Sequence, residues 1–528
     1  MMETTTAQAE ITARAETIHG LLDDRAAQRP EATFVRIGDR EVTYADLAEE
    51  SRRCASALRG RGVEPGDRIA LALDNGVEWL AVFFAAMRLG AVIVTVNPVY
   101  RENELGHMLG VTGAKVVVSE PSSGDFDLVQ YYAHADLPQV KTTIFRTAGE
   151  SVDAGTLTFD ELLCEAEAND IGAEGEPGAS AQDIALILFS SGTTGRAKGV
   201  TLTHETLLAS AAAQAEEFEQ TEEDVLLGVM PLTHVGGITC TVLSSLVVGG
   251  MIDMVPRFHP RAVVDLLLDE RLSVVVGVPT MYAMLLADER LAGADLSAVR
   301  LCVIGGSNVE PAVARLMAET FPTARLANLY GLSESSGACI ISPKSATLDD
   351  LSSSIGTAIG DFTTRIADGD GDAAPPGAEG ELQIHGRCVM KGYWGLPEES
   401  AAAKSPEGWL STGDIAVQDS RGAVTLRGRS KEMYTHGGYN VYPAEVENVI
   451  SALPGVDMVA VVGIPDDKYG SSGRTFIVRS PGADLTEIDV LDFCENQLAE
   501  YKVPDSVVFV DSLPLTPSGK IQKAKLTD

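Results

Sequence analysis

The stretch Ser190 to Gly199 reads SSGTTGRAKG. Hydroxyl groups, glycine backbone N–H groups and the charges of Arg196 and Lys198 are what a phosphate needs around it. The spacing is not that of G-x-x-x-x-G-K-[ST], so this is not an ordinary P-loop, and the kind of phosphate chemistry stays open at this point. Four further stretches carry residues fit for chemistry: YGLSE (Tyr330 to Glu334), STGDIA (Ser411 to Ala416), GRSKE (Gly428 to Glu432) and TPSGK (Thr516 to Lys520). Singly, each has an ordinary explanation. An aspartate after Thr-Gly caps a turn, and a lysine near a C-terminus is a solvated charge. Together, in this order and with these separations, they are far more specific.

Such residues have to be held by layered elements. Short apolar, β-branched runs recur: RIALAL from Arg68, AVIVTV from Ala91, KVVVSE from Lys115, IALILFSSG from Ile184, SVVVGVP from Ser273 and LCVIGG from Leu301. Runs of this kind are strands buried on both faces, as in parallel sheets, and helical patterns such as PRAVVDLLLDER from Pro260 lie between them. The fold class is therefore α/β. Ligands bind beyond the carboxyl ends of such strands, and the phosphate-like loop follows one of them. ADGDGDAAPPGAEG (Ala367 to Gly380) is a turn-rich bridge. After Lys431 the pattern becomes a small α+β unit. Pro443 opens one helix, MVAVVGI, TFIVRS and VVFV read as strands, and Glu487 to Gln497 reads as a second helix.

Bulk properties remove several classes. A 528-residue chain is too long for one core. A formal net charge of −36 repels nucleic acid. The seven cysteines include no C-x-x-C pair, which suits a reducing cytosol without a disulfide frame or zinc site. The start, MMETTTAQAEITARAE, has no apolar core and is not a signal peptide, so the expected location is cytoplasmic. WLAVFFAAMRLGAVIVTV from Trp79 is apolar, but Arg88 and Gly90 divide it into a helix and a strand, and no membrane span is expected.

These stretches, with TYADL (Thr43 to Leu47), GELQIHGRCVMKGYW (Gly380 to Trp394) and GGYNVYPAEVE (Gly437 to Glu447), resemble the adenylate-forming superfamily: acyl-CoA synthetases, aryl-CoA ligases, carrier-loading adenylation domains and firefly-type luciferases. The resemblance runs from Thr43 to Lys520 and is greatest to AMP-forming carboxylic acid–CoA ligases. It implies a large domain over 1–428, a hinge over 429–431 centred on Lys431, and a small mobile α+β domain over 432–528. It also implies a reaction. A carboxylate attacks the α-phosphorus of ATP, pyrophosphate leaves, and a thiol takes the acyl group from AMP. Such an enzyme needs flexible donors around a departing pyrophosphate.

Further roles follow from the resemblance. Ser190, Ser191, Gly192, Thr193, Thr194 and Gly195 surround the β- and γ-phosphates, and Lys198 neutralises them. Glu334, with Thr193, holds Mg²⁺. Ser333 replaces the family's threonine. Asp414 accepts the ribose hydroxyls, Arg429 adds a second ribose contact, and Tyr330 stacks on adenine. Gly305, Gly306, Ser307, Asn328 and Gly331 line the nucleotide pocket, Ser307 and Gly331 on the acid side as well. Lys520 touches both the attacking carboxylate and the α-phosphate. PLTHVGG matches the block beside the carboxylate site, which makes His234 the gate there, flanked by Gly236 and Gly237. These two glycines, with Ser244 and Ser245, are small and leave room for an acyl chain. The next residues, ITCTVLSSLVVGG, carry no charge, so the acid lacks an amine. Gly437 and Gly438 flank the thiol's path.

Absence of an extra insertion between Gly331 and Gly380 favours coenzyme A as acceptor, although GIPDDKYGS carries Ser471 where the family pattern has an acid. An acyl carrier protein is the alternative, for which Lys502, Lys520, Lys523 and Lys525 offer positive charge. A nucleotide-binding relative without activity and an oxygenating luciferase are further alternatives. The sequence leaves a homodimer open. Resemblance to acyl-CoA synthetases also implies that the proline-glycine loop around Lys520 is a target of a lysine acetyltransferase.

Overall fold

The computed structural model describes residues 16–147, 156–168, 179–190, 197–306, 309, 311–436, 439–466, 468–516 and 521–526. Two large sheets share one core. The first has eight strands in the order Gly392–Tyr393, Lys198–Thr203, Ile184–Ser190, Val92–Thr95, Arg68–Ala72, Val116–Ser119, Thr142–Phe145 and Leu157–Thr158. The second has nine, with Gly337–Ile341, Arg325–Leu332, Leu301–Gly305, Val274–Gly277, Val225–Gly228 and Met251–Met254 in sequence across its middle. The six apolar runs expected as strands lie within these sheets, and Arg68–Ala72, Val92–Thr95, Val116–Ser119 and Ile184–Ser190 pair in parallel.

Alternation along the strands explains why both faces are apolar. Ile69, Leu71, Ile93, Leu186 and Leu188 point into the shared core with the helices Tyr44–Gly60, Val77–Leu89 and His204–Glu217. Ala70, Ala72, Val92, Val94 and Ile187 point the other way, toward Leu105, Met108 and Leu109 of the helix Glu102–Thr112. The apolar run from Trp79 is the buried helix Val77–Leu89 and the strand Val92–Thr95, separated by Gly90 in the left-handed conformation (φ 63°). Among the described residues no helix is long and apolar enough to cross a membrane. All seven cysteines are unpaired.

A third sheet, Thr363–Ala367, Glu379–His385, Leu410–Gln418 and Val424–Arg429, follows. The turn-rich segment after Ala367 is the loop of a hairpin inside it, with Ala367 opposite Glu381, and connects no two domains. Beyond it the hydrophobic cores part. Val424 and Leu426 pack in the large core, whereas Tyr434 begins a separate one with Val446, Ile450, Val461 and Ile477. Pro443 does open a helix, Pro443–Ser451, whose buried face is Val446 and Ile450. The strands Val456–Asp466, Gly470–Arg479 and Ser506–Phe509 and the helix Glu487–Glu495 complete this unit.

Candidate active site

The strand Ile184–Ser190 leads into residues 191–196, and Lys198–Thr203 leads back antiparallel to it, with Ser190 opposite Lys198. The loop therefore joins two strands, not a strand to a helix as in a P-loop. Ser191, Gly192, Thr193, Thr194 and Gly195 lie outside the described residues. Lys198 lies at the start of the return strand, with its Nζ 5.0 Å above the ring centre of Tyr393. Pairing of Gly392–Tyr393 with the same strand, Val200 opposite Tyr393, puts that ring there. The Tyr393 hydroxyl donates to Oε1 of Glu334 at 3.0 Å. Burial, then the neighbouring carboxylate, push the Tyr393 phenol pKa up, so it remains a donor.

Glu334 and the half-buried Ser333 lie in the single 3₁₀ turn Ser333–Ser335 after the strand Arg325–Leu332. The Glu334 carbonyl accepts Met390 N–H at 2.8 Å. Two close approaches shape the turn. A Cβ on Gly331 would lie 2.0 Å from the Gly337 carbonyl oxygen, and one on Gly337 (φ 106°) would lie 2.3 Å from Thr239 Oγ1. Among the described residues no cluster of three His, Cys, Asp or Glu could hold a metal ion. The Glu334 carboxylate is an oxygen donor of the kind that suits Mg²⁺, and Thr193, expected beside it, lies outside the described residues.

The second centre is Asp414, only 4% exposed. Its strand Leu410–Gln418 pairs with Val424–Arg429 in a register that sets Asp414 opposite Arg429. Arg429 Nε lies 2.6 Å from Oδ1, and the Tyr330 hydroxyl donates to Oδ2 at 2.5 Å. Burial, then Asp414, push the Tyr330 phenol well above its ordinary pKa. Tyr330 thus holds the carboxylate, a task beyond the stacking expected of it. A carboxylate can accept about four hydrogen bonds.

Gly305 closes the neighbouring strand, where a Cβ would lie 2.6 Å from the Leu329 carbonyl oxygen, and Gly306 has φ 91°. Ser307 lies outside the described residues. Asn328, expected at the nucleotide, is buried, and its Nδ2 donates to the carbonyls of Leu351 at 3.2 Å and Ser354 at 3.3 Å. That nitrogen anchors the end of the helix Leu348–Ser353.

His234 caps the short helix Val235–Gly237, its Nδ1 accepting Gly236 N–H at 3.1 Å. The Gly236 N–H thus meets the ring at Nδ1 and leaves Nε2 as the other polar atom of the imidazole. A π-helical turn, Ile238–Leu243, follows, all of it buried. Such turns are frequent at functional sites. Room for an acyl chain does not come from all the small residues here. A Cβ on Gly237 would lie 2.3 Å from the Pro231 carbonyl oxygen, so that glycine permits close backbone approach. Ser244 is buried and donates to the Cys240 carbonyl at 3.1 Å.

In the small unit, Gly437, Gly438 and Lys520 lie outside the described residues. Lys431 is exposed, in a turn closed by Glu432 and Met433 N–H on the Arg429 carbonyl, each at 3.1 Å. Ser471 contributes its carbonyl, which accepts His436 Nδ1 at 3.0 Å. The lysines expected as a basic patch are partly neutralised. Lys502 Nζ lies 2.6 Å from Glu445, and Lys523 Nζ lies 2.7 Å from Glu432 and 2.9 Å from Glu447.

The family model described as AMP-binding enzyme matches residues 22–394, and the AMP-binding enzyme C-terminal domain matches residues 445–520. The chain is 35% identical to a feruloyl-CoA synthase of Amycolatopsis sp, over 95% of this chain and 96% of that one. It is 34% identical to the 3-[(3aS,4S,7aS)-7a-methyl-1,5-dioxo-octahydro-1H-inden-4-yl]propanoyl:CoA ligase of Rhodococcus jostii, over 98% of this chain and 99% of that one. Among solved structures, ATP-bound MatB from Rhodopseudomonas palustris superposes with a TM-score of 0.85 at 30% identity, covering 96% of this chain and 97% of that one.

Proposed function

The chain belongs to the AMP-binding enzyme family, and from that membership we propose an ATP-dependent ligase that joins an apolar carboxylic acid without an amine to the thiol of coenzyme A. The observation that carries the reading is the presentation of Lys198 and Glu334 on one ring, Tyr393, beside the strand ends that enclose residues 191–196. An ammonium and a carboxylate at a hydroxyl- and glycine-rich loop suit a departing pyrophosphate.

The reaction has two halves. The acid's carboxylate oxygen forms a bond to the α-phosphorus while the bond to the β-phosphate oxygen breaks, giving acyl-AMP and pyrophosphate. The thiol then forms a bond to the acyl carbon, loses its proton, and AMP leaves. Lys198 and the loop hydroxyls stabilise the charge on the leaving group. Mg²⁺ at Glu334 supplies Lewis-acid charge at the phosphate oxygens when bound. Asp414, held by Tyr330 and Arg429, accepts the ribose hydroxyls. His234, which caps the helix Val235–Gly237, borders the acid. Lys520 stabilises the first transition state, and the segment 429–431 is the hinge that exchanges it for the thiol path at Gly437 and Gly438.

An acid without an amine is supported by the uncharged, buried wall Ile238–Leu243. Coenzyme A is supported over a carrier protein because Lys502 and Lys523 are paired within the chain. The reading takes a single chain and needs no modification of Lys520. The test is ATP–pyrophosphate exchange over a panel of apolar acids and amino acids, followed by competition between coenzyme A and a phosphopantetheinyl carrier. Exchange driven only by amino acids, or thioester formed only on the carrier, would overturn it.

A further inference from the structure

We propose that Tyr393 is a positioning residue for the pyrophosphate end of the site, holding Glu334 and Lys198 apart and ready for Mg²⁺ and phosphate. This rests on the roles of Glu334 and Lys198 given above. Lys198 and Glu334 carry opposite charges and meet the same phenol. Among the described residues they form no ion pair. The phenol stands between them instead. Its hydroxyl holds one oxygen of Glu334 at 3.0 Å, and the negative face of its ring receives the ammonium of Lys198 at 5.0 Å. Both are neutral partners, weaker than a direct ion pair, so both charges remain available to a ligand.

The placement of Tyr393 is itself built. Its N–H donates to Ser400 Oγ at 2.8 Å, and Trp394 N–H donates to the Gly199 carbonyl at 2.7 Å, next to Lys198. Trp394 Nε1 donates to the Val111 carbonyl at 3.3 Å. The half-buried Lys404 donates to the carbonyls of Met390 at 2.9 Å and Lys391 at 3.2 Å, which precede Tyr393, and Met390 N–H meets the Glu334 backbone. The segment 390–394 is therefore fastened to the strand of Lys198 on one side and to the turn of Glu334 on the other.

The test uses the full chain with Tyr393→Phe, which removes the hydroxyl alone, and Tyr393→Leu, which removes the ring as well. Three quantities are read: the half-saturating Mg²⁺ concentration at fixed ATP, the calorimetric affinity for MgATP without acid, and the thermal midpoint. Tyr393→Phe should raise half-saturating Mg²⁺ roughly tenfold, the worth of one hydrogen bond to a charged group, at an unchanged midpoint and unchanged KM for the acid. Tyr393→Leu should weaken MgATP binding further, by about threefold, through loss of the ring face. Mg²⁺ and MgATP affinities within twofold of the parent in both variants, with only kcat or the midpoint lowered, would overturn the proposal. Glu334→Gln separates the two levels. If it shifts the Mg²⁺ curve and Tyr393→Phe does not, Tyr393 alone loses its role. If it leaves the curve unmoved, the assignment of Glu334 fails and the positioning role falls with it.

Discussion

Acid should loosen this chain at the junction that carries Lys198. His204 is the first residue of the helix that directly follows the strand Lys198–Thr203. It is 1% exposed, and its Nδ1 accepts Ile18 N–H at 3.2 Å. His19, next in the chain, lies with its ring centre 6.4 Å away, and its Nδ1 is buried without a hydrogen-bond partner. Burial above all, then the Arg88 guanidinium, push His19 down to about 4, against a smaller opposite pull from Asp23. Burial, then His19, push His204 down to about 3, with Asp183 opposing. Unfolded, both imidazoles titrate near 6.5. Between 6.5 and the folded values, the unfolded chain binds protons that the folded chain does not. Stability is therefore full above pH 6.5 and falls as the pH drops.

In that window each histidine changes the unfolding free energy by about 1.4 kcal/mol per pH unit. From pH 6.5 to 4.5 this amounts to about 3 kcal/mol for His204, a large fraction of the roughly 5–15 kcal/mol that folded domains have. The assay is urea unfolding at pH 7, 6, 5 and 4.5 for the parent and for His204→Gln, whose amide oxygen can still accept Ile18 N–H. The variant should be less stable at pH 7 but lose about 1.4 kcal/mol less per pH unit between 6 and 4.5. Carboxylates elsewhere contribute equally to both proteins and cancel in the difference. Equal slopes would refute the argument. ATP–pyrophosphate exchange should fail over the same pH range in the parent, because the strand of Lys198 runs into this helix.

Tyr330→Phe removes the donor to buried Asp414 and should lower the unfolding free energy by about 1–3 kcal/mol while raising KM for ATP more than KM for the acid; an unchanged KM for ATP would detach Tyr330 from the nucleoside site. Lys520→Ala should slow acyl-AMP formation by about 100- to 1,000-fold yet spare thioester formation from supplied acyl-AMP, and equal losses in the two half-reactions would refute its assignment. Lys431→Pro locks one backbone angle in an exposed turn between the two cores, so one half-reaction should survive and the other fail. Normal rates in both would remove the hinge from 429–431.

What could be read from the chain beforehand follows the range of the forces involved. Ile184–Ser190 and Leu301–Gly305 were legible as strands because both of their faces are buried, which leaves an unbroken apolar run. Pro443 marked a helix start because a first-turn proline lacks only an N–H that has no helical partner. Lys198, Glu334, Asp414 and Arg429 stood out as local patterns, and the structure places them in two centres. Asn328 has a structural task that its place in sequence does not disclose, since its amide nitrogen is held by the carbonyls of Leu351 and Ser354. Gly237 misled because a missing side chain looks the same in sequence whether empty space or a backbone carbonyl lies beside it. Lys502 and Lys523 looked like surface charge because their carboxylate partners are set by tertiary packing.

Tyr393 shows where local pattern ends. Nothing in GYW distinguishes a phenol that packs from one that separates two charges. The distinction arises only when residues 200 and 393 become strand neighbours and the turn of Glu334 closes on Met390. Lys198 and Glu334 are therefore legible as charges, whereas their readiness for a ligand depends on a pairing between distant parts of the chain. A substitution at Ser400 or Lys404, far in sequence from either charge, should then disturb the site by the same route as one at Tyr393, since both residues fasten the segment on which that ring stands.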